Sequence, residues 1–430
     1  MNLSDRQHTN NLWQRTNVYE VNLRQYSLSG SFTDFEKHLP RLQKMGVEIL
    51  WFMPLTPIGI TGRKMKAEDL GSYYAVKDYL LVNEEFGTLD EWKILVKRMH
   101  SMGFKIIIDW VANHTAADHV WITNHPEYYL RDEHGIILSP NEDWTDTKQL
   151  NFENNEMKAA MIAAMKFWIT ETDIDGFRCD MAKLINPDFW KTAITELRKS
   201  KNILMIAEAE DPGYYEVGFD AMYTWSIFHS MHELYHQQIS LQQFNDIADR
   251  NFRDFGIDGL RLFFTSNHDE NSWTGTEFEL FGEAAKCFSV LCFTMYQSLP
   301  LIYSGQEVPN LNRLKFFEKD VIQWHKFEME EFYKTLLLLR KNTEALSADA
   351  ALYKVTTTNN HNILCYSRLK NNSKVLVLLN LSDSWQSFVI NDDNITGNAK
   401  NVFTKTHFYI QKGHQYHLSP WDFLVYKYAE

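Results

Sequence analysis

Residues 175–182 read "DGFRCDMA". The stretch has the make-up of a short buried strand, yet Arg178 and Asp180 stand in it two positions apart. Side chains alternate along a strand, so these two point to the same side. Building a core requires neither charge. A pair of this kind at the end of an apolar run suits a strand whose C-terminal end opens into a site.

Seven further apolar runs accompany this one. They are "VYEVNLRQY" (18–26), "VEILWFMPL" (47–55), "KIIIDWV" (105–111), "NILMIAEA" (202–209), "FDAMYTW" (219–225), "RLFFTSNHD" (261–269) and "PLIYSGQE" (300–307). Helical patterns lie between most of them. "FTDFEKHLPRLQKMG" (32–46) ends on a glycine stop, and "TLDEWKILVKRMHSMG" (88–103) opens on Thr88 as a cap. "NPDFWKTAITELRKS" (186–200) has Asn186 as cap and Pro187 at the first helical position.

Strands that alternate with helices form parallel βαβ units. Eight of them predict a closed (β/α)8 TIM barrel over residues 1–111 and 152–347 rather than an open sheet. Residues 112–151, between the third and fourth strands, are polar, irregular and rich in Asn, Asp, His and Trp, which predicts a folded insertion. From residue 348 to 430 the pattern changes to strands joined by Asn, Asp, Gly and Pro turns, as in "HFYIQKGHQYHLSPWDFLVYKY" (407–428). This predicts a C-terminal antiparallel β-sandwich.

The net charge of −13, with no basic run, argues against nucleic acid and anionic membrane as partners. Aromatic residues reach 14%; most are expected to pack the core, and some to stack on flat apolar ligand faces such as sugar rings. Cys179, Cys287, Cys292 and Cys365 are scattered, which predicts buried free thiols. The N-terminus "MNLSDRQHTNNLW" has no hydrophobic signal core, and no run approaches the ~20 apolar residues of a membrane span. The expectation is a cytoplasmic monomer, or a secreted protein if a signal has been removed.

In a (β/α)8 barrel the site lies at the C-terminal ends of the strands. Four of the eight predicted strands end in carboxylates: Asp109 with Asn113 and His114 beyond it, Asp180 with Arg178, Glu208 with Glu210, and Asp269 with His268 and Glu270. One such carboxylate would simply solvate the rim. Four converging ones are costly unless used. A guanidinium beside Asp180 predicts a lowered pKa, suited to a nucleophile. Glu208, ending the apolar run "ILMIA", is then the expected proton donor, with Glu210 as its competitor. An ionised nucleophile with a protonated carboxyl is the pairing of a retaining glycoside hydrolase.

These segments, taken together and in order, resemble the α-amylase family (glycoside hydrolase family thirteen). "DWVANHT" (109–115), "GFRCDMAKLI" (176–185), "IAEA" (206–209) and "FTSNHD" (264–269) are similar to its four conserved regions, and "YSGQE" to the end of its eighth strand. The resemblance implies Asp180 as nucleophile, Glu208 as general acid/base and Asp269 as transition-state stabiliser. It implies Arg178 orienting Asp180, and His114 and His268 on hydroxyls of the same sugar. Tyr74, or in its place Tyr73, would stack beneath that sugar, and Lys183 would face the leaving-group sugar. Asp109, Asp175 and Glu307 would be structural. The substrate implied is an α-1,4-glucan, starch or maltodextrin, cut internally, with no organic cofactor.

The chain departs from the family pattern in two places. "TKQLN" (147–151) carries Gln149 where calcium-dependent members have an Asp that holds the ion beside the residue matching Asn113. Leu184 follows Lys183 where His is common. Asn113 remains as a ligand, and Asp143 and Asp146 are candidate substitutes. Calcium therefore stays open, as does the choice among α-1,4 hydrolysis, α-1,6 hydrolysis, transglycosylation and sugar binding alone.

Overall fold

The computed structural model describes residues 12–64, 68–256 and 259–429. The polar N-terminal segment read above lies, over residues 1–11, outside them. Eight parallel strands close into a barrel: β1 (Val18–Val21), β2 (Ile49–Phe52), β3 (Lys105–Val111), β4 (Gly176–Asp180), β5 (Leu204–Ala207), β6 (Ala221–Tyr223), β7 (Leu260–Phe263) and β8 (Ser298–Tyr303). Each pairs with its sequence neighbour, and β1 pairs with β8. All eight predicted runs supply a strand.

The strands are covered by helices, most of them amphipathic, whereas the helix Ala285–Thr294 is buried at every position but Lys286. The helix Leu89–Ser101 starts at a reciprocal cap between Thr88 and Glu91 and buries Trp92, Leu95, Val96 and Met99, the spacing of a single face. Asn186 caps the helix Pro187–Arg198, as predicted. The single helix expected over 32–46 is instead two, Phe32–Glu36 and Leu39–Met45. Pro40, which lacks an N–H, sits in the first turn of the second, where none is needed. Gly46 ends that helix with φ 98°, a left-handed conformation. The run 18–26 is strand only to Val21, because the Asn22 side chain accepts from Gln25 N and starts a short helix.

Gly176 opens β4 at a point of close approach. A Cβ there would sit 1.9 Å from the Leu204 carbonyl of β5, so no other residue fits the position. Register then sets the site: Asp109 of β3 lies beside Arg178 of β4. On the far side Glu20 of β1 lies beside Trp51 and Tyr303.

Within 112–151 two short strands, His114–Ala116 and Thr147–Gln149, pair antiparallel with His114 opposite Gln149. The C-terminal region forms a six-stranded antiparallel sheet and a two-stranded one, Gln386–Val389 with Gln415–Leu418. Leu376 and Leu378 of the large sheet share a core with Phe388, Tyr416 and Leu418 of the small one, which makes a sandwich. Buried Arg368 ties it to the barrel by donating to the carbonyls of Thr294, Met295, Ser347 and Ala350. The four cysteines are buried and unpaired. Among the described residues no helix is long and apolar enough to cross a membrane.

Candidate active site

A cavity of about 760 Å³ opens at the C-terminal ends of the strands. Asp180, Glu208, Asp269, Tyr74 and His114 line it, together with Trp144 of the insertion. Beneath them lies Arg178, 1% exposed. Its Nη1 donates to Asp109 Oδ1 at 2.9 Å and to Asp180 Oδ1 at 3.0 Å. Its Nη2 is 3.1 Å from Glu208 Oε2, and its Nε donates to Tyr223 Oη at 3.1 Å. A planar fork with five donors does this; a lysine would not.

The turn after β4 serves the same group. Met181 adopts φ 43°, ψ 37°, a left-handed conformation that an L residue avoids, and its N–H donates to Glu208 Oε2 at 2.6 Å. The strained turn thereby fixes the carboxyl of one strand against the end of the next.

A second chain of contacts runs through His268. Its Nδ1 lies 2.5 Å from Glu20 Oε1, and its Nε2 is 2.6 Å from Tyr74 Oη and 3.4 Å from Asp269 Oδ2. Tyr74 Oη donates on to Asp109 Oδ2 at 3.1 Å. Burial disfavours charge on His268, but the carboxylates of Asp269 and Glu20 outweigh it and raise the pKa to about 9. His268 is thus a cation at neutral pH. His114 differs: burial lowers it to about 4, so its ring is neutral.

Glu20 was not singled out from sequence. It stands alone in "VYEV" (18–21) with no polar neighbour to mark it. The available signal was the one that exposed Arg178, a charge inside an apolar strand.

Five carboxyls, those of Glu20, Asp109, Asp180, Glu208 and Asp269, face two cations. Burial raises the pKa of Glu20 and Asp109. It raises Asp180 well above the usual range too, helped by the nearby Glu208 carboxylate, while Arg178 opposes the shift. The low pKa expected for Asp180 is therefore corrected. Arg178 is not dedicated to Asp180 but divided among three carboxyls. The apolar setting expected for Glu208 is corrected as well, since its Oε2 accepts from Met181 N and faces Arg178.

Other expected residues fall on either side of the cavity wall. Glu210 does not compete with Glu208: β5 ends at Ala207, alternation stops, and Glu210 turns to Ser226, Asn251 and Arg261. Tyr73 donates to Asn22 Oδ1 and is packing, which leaves Tyr74 in the cavity. Asp175 is held by His100 and Ile106 N, and Glu307 by Tyr19 and Arg41, as structural groups. Lys183 is exposed on the turn Ala182–Leu184 and is not among the cavity-lining residues.

The position expected to hold calcium does not fit it. Gln149 Nε2 donates to both the backbone and the side-chain oxygen of Asn113, each at 3.0 Å. An amide N–H thus takes the two oxygens a hard cation would need. Asp143 and Asp146 line the sugar-sized cavity instead, and no cluster of three or more His, Cys, Asp or Glu suited to a metal occurs among the described residues.

The closed eight-stranded barrel thus brings carboxyls from its third, fourth and fifth strands onto one buried arginine, with Asp269, beyond the seventh, on the same cavity. The sequence matches the family described as "Alpha amylase, catalytic domain" over residues 13–149 and 141–349, and the chain belongs to that family. It is 23% identical over 389 residues to the α-amylase MalA of Haloarcula japonica, covering 84% of this chain. It is 26% identical over 392 residues, 82% of this chain, to an α-1,4-glucan:maltose-1-phosphate maltosyltransferase of Picrophilus torridus. The chain spans 55% and 59% of the lengths of these two relatives. Among solved structures, the maltogenic α-amylase AmyB of Thermotoga neapolitana superposes with a TM-score of 0.88 at 26% identity, covering 97% of this chain and 99% of that one. An α-amylase of Lactobacillus plantarum gives a TM-score of 0.86 at 26% identity, covering 98% and 100%.

Proposed function

We propose that the chain hydrolyses α-1,4-glucosidic bonds of maltodextrins with retention at the anomeric carbon. The observation that carries this is the single Arg178 guanidinium bridging Asp180 and Glu208 at the mouth of the barrel, with Asp269 on the same cavity. Bridged by one side chain, the two carboxyls are near neighbours, which is compatible with the ~5–5.5 Å separation of retaining enzymes.

Double displacement needs one proton on this pair of carboxyls. Glu208 carries it when a glycosidic oxygen is near, because Arg178 and Met181 occupy only its Oε2. Asp180, then ionised, attacks the anomeric carbon as the C1–O bond breaks and the proton passes to the leaving oxygen. Water next gives its proton to Glu208 and its oxygen to C1, which releases Asp180. Asp269 holds hydroxyls of the sugar while charge develops on its ring, and His268, buried behind it, positions Asp269 and Tyr74. Tyr74, half-buried on the cavity wall, supplies the face beneath the sugar.

A second reading, transfer of the glycosyl unit to another sugar, is favoured by the maltosyltransferase relative. It uses the same intermediate with a sugar hydroxyl in place of water. The four unpaired thiols suit a reducing compartment, and hence soluble oligosaccharides as substrates. Reducing-sugar release from maltoheptaose by the wild type, lost in Asp180→Asn, tests the reading. Products longer than the substrate identify transfer, and no change in maltoheptaose overturns both.

A further inference from the structure

Glu208 must face the leaving oxygen, so the leaving portion of the substrate lies toward β4 and β5. The glycone portion then runs to the opposite rim, where the loops after β2 and β8 rise. These two loops meet: Leu70 N donates to Phe317 O at 2.8 Å. A backbone bond between two rim loops is a wall across the path, and both sides of it are pinned.

The β8 loop is fixed from below by Gln25, which is fully buried. Gln25 Nε2 donates to the carbonyls of Lys315 and Glu318 at 2.6 and 2.7 Å, and its Oε1 accepts from Asp320 N at 2.6 Å. From the β7 side, Leu314 N donates to Asn271 Oδ1 and Ser272 Oγ donates to Leu314 O, both at 2.8 Å. The β2 loop is held by Arg24, whose Nη1 donates to Gly71 O at 3.0 Å. A buried glutamine satisfying three backbone groups makes a rigid segment.

The wall carries aromatic rings. Phe316 stacks parallel to Tyr74 at 6.2 Å and 13°, and Trp273 lies 5.2 Å from Phe316. All three line the cavity, and Trp273 remains 57% exposed. Exposed tryptophan on a rigid turn suits the apolar face of a pyranose.

We infer that the cleft is closed on its glycone side, with Trp273 and Phe316 as the platform for the terminal sugar. The enzyme therefore removes short units from non-reducing chain ends. This rests on the α-glucan reading and replaces the internal cutting expected from sequence.

The test compares maltoheptaose, maltoheptaose blocked at the 4- and 6-hydroxyls of its non-reducing end, and β-cyclodextrin, which has no end. The expected result is one short product from the earliest time points on the open chain. The blocked chain and the ring should react at least about 100-fold more slowly. Similar rates on all three, or a spread of early products, overturn the inference while leaving the α-glucan reading intact. If maltoheptaose is not cut, calorimetry with Asp180→Asn decides separately: binding of maltotriose but not of the ring upholds the wall. Equal binding of both, or of neither, overturns it.

Discussion

Arg178 Nη2 and Glu208 Oε2 lie 3.1 Å apart, while the same guanidinium holds Asp180 at 3.0 Å and Asp109 at 2.9 Å. One buried cation is thus shared by three carboxyls. A dedicated partner would have made Asp180 a strong acid. A shared one leaves the cluster able to retain a proton, which is what acid catalysis at neutral pH needs.

The two glutamates just beyond β5 separate by substitution. Glu208→Gln should lower kcat by about 10³-fold, within the range for loss of a general acid, with little change in Tm. Glu210→Gln should leave kcat within several-fold but cost about 1–3 kcal/mol, because Arg261 and Asn251 lose a buried acceptor. Steady-state kinetics beside thermal melts read both effects. The reverse pattern would make Glu210 the acid.

His268 should impose a pH dependence on stability. Its folded pKa of about 9 lies above the ordinary value of 6.5. The stabilisation is therefore complete below pH 6.5 and is lost as pH rises through 9. Its full size is on the order of 3 kcal/mol. Urea unfolding between pH 6 and pH 10 should show this slope in the wild type, and His268→Gln should flatten it. An unchanged slope in the variant would place the titration elsewhere.

Gln149 should make the enzyme indifferent to calcium. A chelator is expected to leave both Tm and maltodextrin hydrolysis unchanged. Gln149→Ala should cost about 1–3 kcal/mol by stranding the Asn113 side-chain oxygen, while the backbone oxygen keeps Leu150 N as a donor. A melting temperature that falls with chelator and returns with added calcium would contradict this.

Much of this site was legible in the sequence because its residues end strands. Arg178, Asp180, Glu208 and Asp269 follow apolar runs whose length and order predict the barrel. Period-2 alternation says where such residues point only while the strand lasts. Glu210 was placed on the same face as Glu208, and so as its competitor, for that reason, whereas the strand ends at Ala207 before either of them. Charge balance was less legible, since the share of Arg178 that reaches Asp180 depends on Asp109 and Glu208, which come from other strands. The wall was not legible at all. Leu70 and Phe317 meet through backbone atoms, 247 positions apart in the chain, and nothing in their side chains announces it.

The central claim is that Asp180 forms a covalent bond to the sugar, with Glu208 as its acid. The most direct measurement is the anomeric configuration of the first product from maltoheptaose, followed by proton NMR before mutarotation. Retention through Asp180 predicts the α-anomer first, with the β-anomer growing in only as mutarotation proceeds. The β-anomer appearing first would mean direct displacement by water and would contradict the assignment.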